Sequence, residues 1–208
     1  MGKVVELDHP LVQHHLTHLR DHRTSPHIFR AQVRWLAVLL AEQACRDLPL
    51  KPKQIETPLE PMEGAVLSGR VGLVPILRAG LGMTDALLDL LPTAEVWHLG
   101  FYRDEETLQP VEYYQKFSSS PPDVVFVLDP MLATGGSAAE GIHRVKKWGA
   151  KDIRMLSIIA APEGIARVHK KHPDVPVFVC GIDRGLNNAA YILPGLGDAG
   201  DRIFNTLG

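Results

Sequence analysis

The chain is expected to fold as an α/β protein, with a central, mainly parallel sheet flanked by helices on both faces. Near-continuous apolar runs such as "DVVFVLD" (123–129) and "IRMLSIIAA" (153–161) read as strands buried on both faces. Segments with helical spacing separate these runs, the alternation that builds parallel sheets. Apolar residues make up 45% of the 208 residues and charged residues 22%, enough for a core in one large domain or two small ones.

Each element has a local reason. Residues 4–7 are a short strand candidate. Residues 10–21 have helical spacing at Leu11, His15 and Leu19. Ser25 is placed to cap a second helix and Pro26 suits its first position, where no N–H partner is needed. Phe29, Val33, Leu36, Leu40 and Ala44 then share one face. Residues 47–61, with Pro49, Pro52, Pro58 and Pro61, break the pattern. Strands are predicted over 70–77, 95–102, 123–129, 153–161 and 175–182, and helices over 82–91, 136–148 and 162–171. Gly149 is a natural stop for the helix before it. Residues 103–117 alternate like a polar hairpin, and 191–206 are rich in glycine and turns.

Composition removes several function classes. A net charge of -2 gives no bulk attraction to nucleic acid or anionic lipid. No run approaches the ~18 apolar residues of a membrane span. The opening "MGKVVELDHP" has no secretory h-region, and Glu6 stands where a myristoylation signal wants Ser or Thr. Cys45 and Cys180 lie far apart in apolar surroundings, which argues against a disulfide framework and fits a reducing, cytoplasmic setting.

Four stretches carry candidate chemistry. In "VVFVLDPMLATGGSAAEG" (124–141) a strand ends on Asp129, and Thr134–Ser137 open a helix. Ligands bind at strand carboxyl ends in open α/β sheets. Free N–H groups at a helix start favour phosphate, and glycine lets backbone close on it. A carboxylate beside an anion hole suits a ribose phosphate; a plain capped helix is the bland alternative. The Gly-Lys-Ser/Thr of a P-loop is absent. In "PILRAGLGM" (75–83) Arg78 follows another strand, where a guanidinium can grip phosphate oxygens or stand in a surface turn. "YRDEETLQPVEYYQKF" (102–117) reads as a lid with Arg103 at its base, or as an exposed hairpin or dimer contact. "YILPGLGDAGDR" (191–202) contains G-x-G-x-x-G, but only eight residues follow Gly200, too few for a βαβ unit. Its dense glycines instead expose backbone donors and acceptors that can read a flat heterocycle, with Asp198 and Asp201 available for metal or water contacts. His9, His14, His15, His18, His22 and His27 lack a metal-binding spacing with an acidic partner and read as solvated or interface residues.

Together these stretches resemble the uracil phosphoribosyltransferase family over nearly the whole chain. "VLDPMLATGGSA" is similar to the family's phosphoribosyl-pyrophosphate (PRPP) loop, with the single acid before proline typical of the uracil enzymes. "VPILRAGLGM" resembles its pyrophosphate loop, "YRDEETLQPVEYY" its flexible arm and "YILPGLGDAGDR" its uracil loop. "DHPLVQHHLTHLRD", "RDLPL" (46–50) and "AAPEG" (160–164) match too. The resemblance implies a type I phosphoribosyltransferase fold in one domain over 1–208, with a β-hairpin arm near 102–117, a PRPP loop at 129–137 and a C-terminal base loop at 191–202. It implies conversion of uracil and PRPP to UMP and diphosphate, in pyrimidine salvage.

The roles the resemblance implies attach to particular residues. Arg78, Arg103, Asp129 and Asp198 are the catalytic set. PRPP would be held by these four and by Pro130, Met131, Leu132, Ala133, Thr134, Gly135, Gly136 and Ser137. Uracil would be bound by Ile192, Gly197, Asp198 and Ala199, largely through backbone. Mg²⁺ would enter as a complex with PRPP, with Asp198 supporting it through water. A homodimer or higher homo-oligomer is expected, with GTP a possible effector and no nucleic-acid or membrane partner. A regulatory nucleotide- or RNA-binding protein on the same fold, and a phosphoribosyltransferase for another base, are the alternatives. The segment "DRGLNN" (183–188) and His15, His18 and His22 depart from the family pattern and concern the rim of the base site and its regulation.

Overall fold

The computed structural model describes residues 2–103 and 110–206, with side chains outside 102–112. The chain begins with β1 (Val4–Glu6), α1 (Pro10–Arg20), α2 (Pro26–Ala44), β2 (Leu50–Glu56), β3 (Pro61–Leu67), β4 (Val71–Leu77) and α3 (Leu81–Leu90). It continues with β5 (Glu95–Val96), β6 (Leu99–Arg103), β7 (Pro110–Gln115), β8 (Val124–Leu128), β9 (Met131–Leu132) and α4 (Gly136–Trp148). It closes with β10 (Asp152–Ala160), α5 (Pro162–Lys171), β11 (Val177–Ile182), β12 (Gly185–Leu186), β13 (Ile192–Leu193) and α6 (Ala199–Phe204).

The main sheet runs in the order β1-β11-β10-β8-β4-β6-β7, with β5 on β4 and β9 on β10. Every pairing is parallel except that of β6 with β7. From β4 the chain moves to β6 on one side; after β7 it returns to β8 on the other and continues to β10 and β11. The order therefore reverses between β4 and β8, and that reversal opens a crevice at their carboxyl ends.

Buried side chains fall on both faces, as the apolar runs required. In β8, Phe126 and Leu128 pack toward α1, α2 and α3, while Val125 and Val127 pack toward α4 and α5. The α2 face is as expected: Phe29, Val33, Leu36, Leu40 and Ala44 are all buried. Arg154 of β10 ties the end of α2 to the sheet, donating to Ala44 O, Asp47 and Asp152.

Four local readings need correction. The buried face of α1 is Val12, Leu16 and Leu19; Leu11 is 49% exposed, and His15 bonds Gln32 Oε1 at 2.7 Å. Leu19 is buried as expected, while Val12 and Leu16 take the places expected of Leu11 and His15. Ser25 occupies the N-cap position of α2, but its hydroxyl meets His27 Nδ1 at 3.1 Å rather than a helix N–H. The proline-rich segment is half of a solvent-exposed hairpin, β2 with β3. Proline is tolerated there because each strand keeps a free edge. The strand expected over 95–102 is broken at Trp97 and His98 into β5 and β6. Among the described residues, no helix is long and apolar enough to cross a membrane.

Candidate functional site

The crevice is built from loops at strand ends. Asp129 directly follows β8, and its Oδ1 accepts from Met131 N at 3.3 Å. Burial pushes this carboxyl from its ordinary 3.8 up to about 7, with the Met131 N–H pulling weakly the other way. The residue as a whole is half-buried. Pro130 to Leu132 extend the sheet rather than the loop. The Pro130 carbonyl accepts from Ile158 N and Ile159 N at 3.1 Å each, Leu132 is buried, and β9 pairs with β10.

The turn proper is Ala133–Ser137. The first α4 bond runs from Ala139 N to Gly135 O at 3.0 Å, so the N–H groups of Gly136, Ser137 and Ala138 lie ahead of it. Three such donors at the positive end of a helix are an arrangement that favours an anion. Gly135 has φ 72, and a Cβ there would stand 2.6 Å from Gly164 O, so only glycine serves. Gly164, at the start of α5, packs equally tightly under Leu132 and Ala133. Arg167 of α5 brings a cation that sequence reading missed: its Nη1 lies 3.6 Å from where a Cβ on Gly136 would sit.

Arg78 stands at the end of β4, across the topological reversal, after a cis Leu77–Arg78 peptide. Its Nη2 donates to Asp201 Oδ1 at 3.3 Å, and its guanidinium lies 6.0 Å from the Phe204 ring centre. Asp201 N in turn donates to Asp198 Oδ1 at 2.9 Å, the cap of α6. The β4 loop and the C-terminal loop therefore meet. Arg103 ends β6; its side chain and residues 104–109 of the expected arm lie outside the described residues.

A cavity of about 300 Å³ joins the β8 loop to the C-terminal loop, lined by Met131, Ala133, Ala189, Ala190, Tyr191, Gly197 and Asp198. Gly197 and Asp198 are among the residues expected to read a base. Ile192 and Ala199 are buried beside this cavity and do not line it. Tyr191 begins the expected base loop, whereas Ala189 and Ala190 lie outside it. Asn187 shapes this lip: its Oδ1 accepts from Ala189 N and Tyr191 N at 2.9 Å each, and Ala190 adopts φ 63. Asn187 thus shapes the rim of the cavity. A larger cavity, about 610 Å³, lies between α2, α3 and Phe204, away from Asp129 and Asp198.

The uracil phosphoribosyltransferase family profile matches residues 5–206. The chain belongs to that family. A uracil phosphoribosyltransferase of Roseiflexus sp. (strain RS-1) is 55% identical over 210 residues, covering 99% of this chain and 100% of the relative. Among solved structures, the AQ2163 protein of Aquifex aeolicus superposes with a TM-score of 0.92 at 37% identity, covering 97% of each chain. A purine phosphoribosyltransferase of Pyrococcus horikoshii shares the fold, with a TM-score of 0.50 and 21% identity over 73% of this chain and 85% of its own. The type I phosphoribosyltransferase fold inferred for the family is therefore the fold observed.

Among the described residues, no three His, Cys, Asp or Glu side chains group as a metal cage. A magnesium ion fits such a site differently, through one or two carboxylates plus substrate phosphates and water. Asp198 lines the shared cavity, and its Oδ1 accepts from Asp201 N.

Proposed function

We propose that this chain transfers the phosphoribosyl group of PRPP to N1 of uracil, giving UMP and diphosphate. The observation that carries the reading is the shared cavity: the loop after Asp129 and the backbone around Gly197 and Asp198 face the same space. A ribose phosphate held by the first and a flat base held by the second would meet there.

In this reading the N–H groups of Gly136–Ala138 and the hydroxyls of Thr134 and Ser137 hold the 5′-phosphate. Asp129 accepts from the ribose hydroxyls; those donors favour its charged form, and the carboxylate then offsets positive charge developing on the ribose ring. Arg78 and Arg103 hold the diphosphate as its bond to ribose C1 lengthens. Magnesium bound with PRPP, supported by Asp198, would add charge neutralisation at the diphosphate when present. The uracil N1 proton passes to the departing diphosphate, since no side chain among the described residues stands out as a base. Rate comes instead from alignment and from exclusion of water, with the 102–117 arm as the lid.

Backbone groups at 192 and 197–199 would pair with the edge of uracil. Cytosine replaces the C4 carbonyl by an amino group, which leaves buried groups unpaired and makes it a poor substrate. The same reading treats residues 1–208 as one cytoplasmic phosphoribosyltransferase domain. Family resemblance adds a homodimer or higher homo-oligomer and GTP as effector, testable by light scattering and by assays with and without GTP.

The direct test is UMP formation from uracil, PRPP and Mg²⁺, with orotate, cytosine and hypoxanthine in parallel. Uracil-only turnover that collapses in Asp198→Asn is the expected result. Turnover of another base instead would reassign the substrate. PRPP binding without turnover of any base would favour a regulatory protein on this fold.

A further inference from the structure

The C-terminal loop is held from behind by a closed set of hydrogen bonds whose side chains do not line the cavity. Arg20 ends α1, and Asp183 directly follows β11. Arg20 Nη1 and Nη2 donate to Asp183 Oδ2 and Oδ1 at 2.8 and 2.6 Å. Gly195 N donates to Asp183 Oδ2 at 2.9 Å, and Arg20 Nη1 donates to Gly195 O at 2.9 Å. One ion pair therefore captures both polar groups of a single peptide residue. The Asp183 side chain is 5% exposed. Its own N–H is fixed to Ala160 O of β10 at 2.8 Å, so the clamp is tied to the sheet.

Gly195 is the residue this clamp requires. It adopts φ 64, and a Cβ would collide with the Ile192 carbonyl. Arg202 secures the next residue, donating through Nη1 to Leu196 O and to Leu19 O at 2.7 Å each. The end of α1 thus holds two consecutive residues just ahead of Gly197 and Asp198, which line the cavity.

We propose that the Arg20–Asp183 pair is a positioning and specificity-determining element for the base, acting through Gly195. The inference rests on the base site proposed above. Neither side chain touches the base. Recognition by backbone dipoles depends on where those dipoles stand, and a shift of ~1 Å is enough to lose alignment. A loop freed at Gly195 can rotate its N–H and C=O groups and tolerate either a carbonyl or an amino group at C4.

The test uses full-length Asp183→Asn, Arg20→Lys and the double variant Arg20→Met/Asp183→Leu. The double variant removes the pair without stranding a buried charge. Asp183→Asn keeps the shape and an acceptor for Gly195 N–H if the double variant does not fold. Steady-state kinetics and amide hydrogen exchange of peptides covering 191–202 are read together. The expected result is a uracil KM raised about tenfold or more, a clearly smaller rise in PRPP KM through the displaced Asp198, and a lower preference for uracil over cytosine. Exchange at 195–198 should accelerate while β8 and β10 stay protected, with Arg20→Lys intermediate. Unchanged uracil KM and exchange in a folded variant would overturn the proposal, as would an equal rise in both KM values. If the native chain fails to turn over uracil, the base assignment falls, and with it the specificity role; the exchange data still decide whether the clamp positions the loop.

Discussion

Replacing Asp129 by Asn should remove activity and at the same time stabilise the ligand-free protein above neutral pH. The carboxyl has an ordinary value of 3.8 and is raised by burial to about 7. Between those values the folded state holds a proton that the unfolded chain has released. Stability therefore falls as pH rises through this window, and the full cost is reached above about 7. A displacement of about three units sets a ceiling of about 4 kcal/mol at 1.36 kcal/mol per unit. Relaxation and water at the open side of the crevice reduce this, and ~1–2 kcal/mol is the working expectation. For a chain of this size that is a rise in Tm of roughly 3–6 °C. Thermal melts of both proteins from pH 4 to 8.5, without ligand, read the effect. The two curves should converge near pH 4 and separate toward pH 8, with the variant higher. A variant that melts lower at pH 8, or by a pH-independent amount, would refute the idea that Asp129 is held against its ionisation. PRPP should stabilise the native protein far more than Asp129→Asn, because ribose hydroxyls stabilise the carboxylate.

Other outcomes follow from single contacts. Gly135→Ala should cost at least about 2 kcal/mol in a denaturant titration, because a positive φ is disfavoured for alanine and its Cβ meets Gly164 O at 2.6 Å. Gly136→Ala has its nearest neighbour at 3.6 Å and should change stability by less than about 0.5 kcal/mol, while raising the PRPP KM by crowding the turn. Phe126→Ala, in the fully buried centre of β8, should cost about 3–5 kcal/mol and lower Tm by about 10 °C. His172 is buried against Ala139 O at 2.9 Å, and burial lowers its pKa below 6.5, so the folded state stays neutral where the unfolded chain takes up a proton. Stability should fall as pH drops below about 6.5, and His172→Gln should flatten that limb of the Tm profile.

Much of this molecule is decided by its sequence alone. Apolar runs such as 124–128 can be stable only when covered on both faces, so the parallel sheet and its helices follow from hydrophobic pattern. The Asp129 and Gly135–Gly136 stretch shows its chemistry locally, since a strand end, a turn and a helix start are consecutive in the chain. Tertiary structure decided what depends on distant partners. In α1, Val12 and Leu16 rather than Leu11 and His15 join Leu19 in the core, because helical periodicity does not say which face meets the sheet. The hairpin β2–β3 has no core face, so it left no apolar alternation to find. Asp183 follows a strand as Asp129 does, yet its partners, Arg20 and Gly195, are 163 residues before it and 12 after it. Local pattern records which groups a segment carries. Only the folded chain decides which of them stand within hydrogen-bonding distance, because such contacts are set by the packing of elements far apart in sequence.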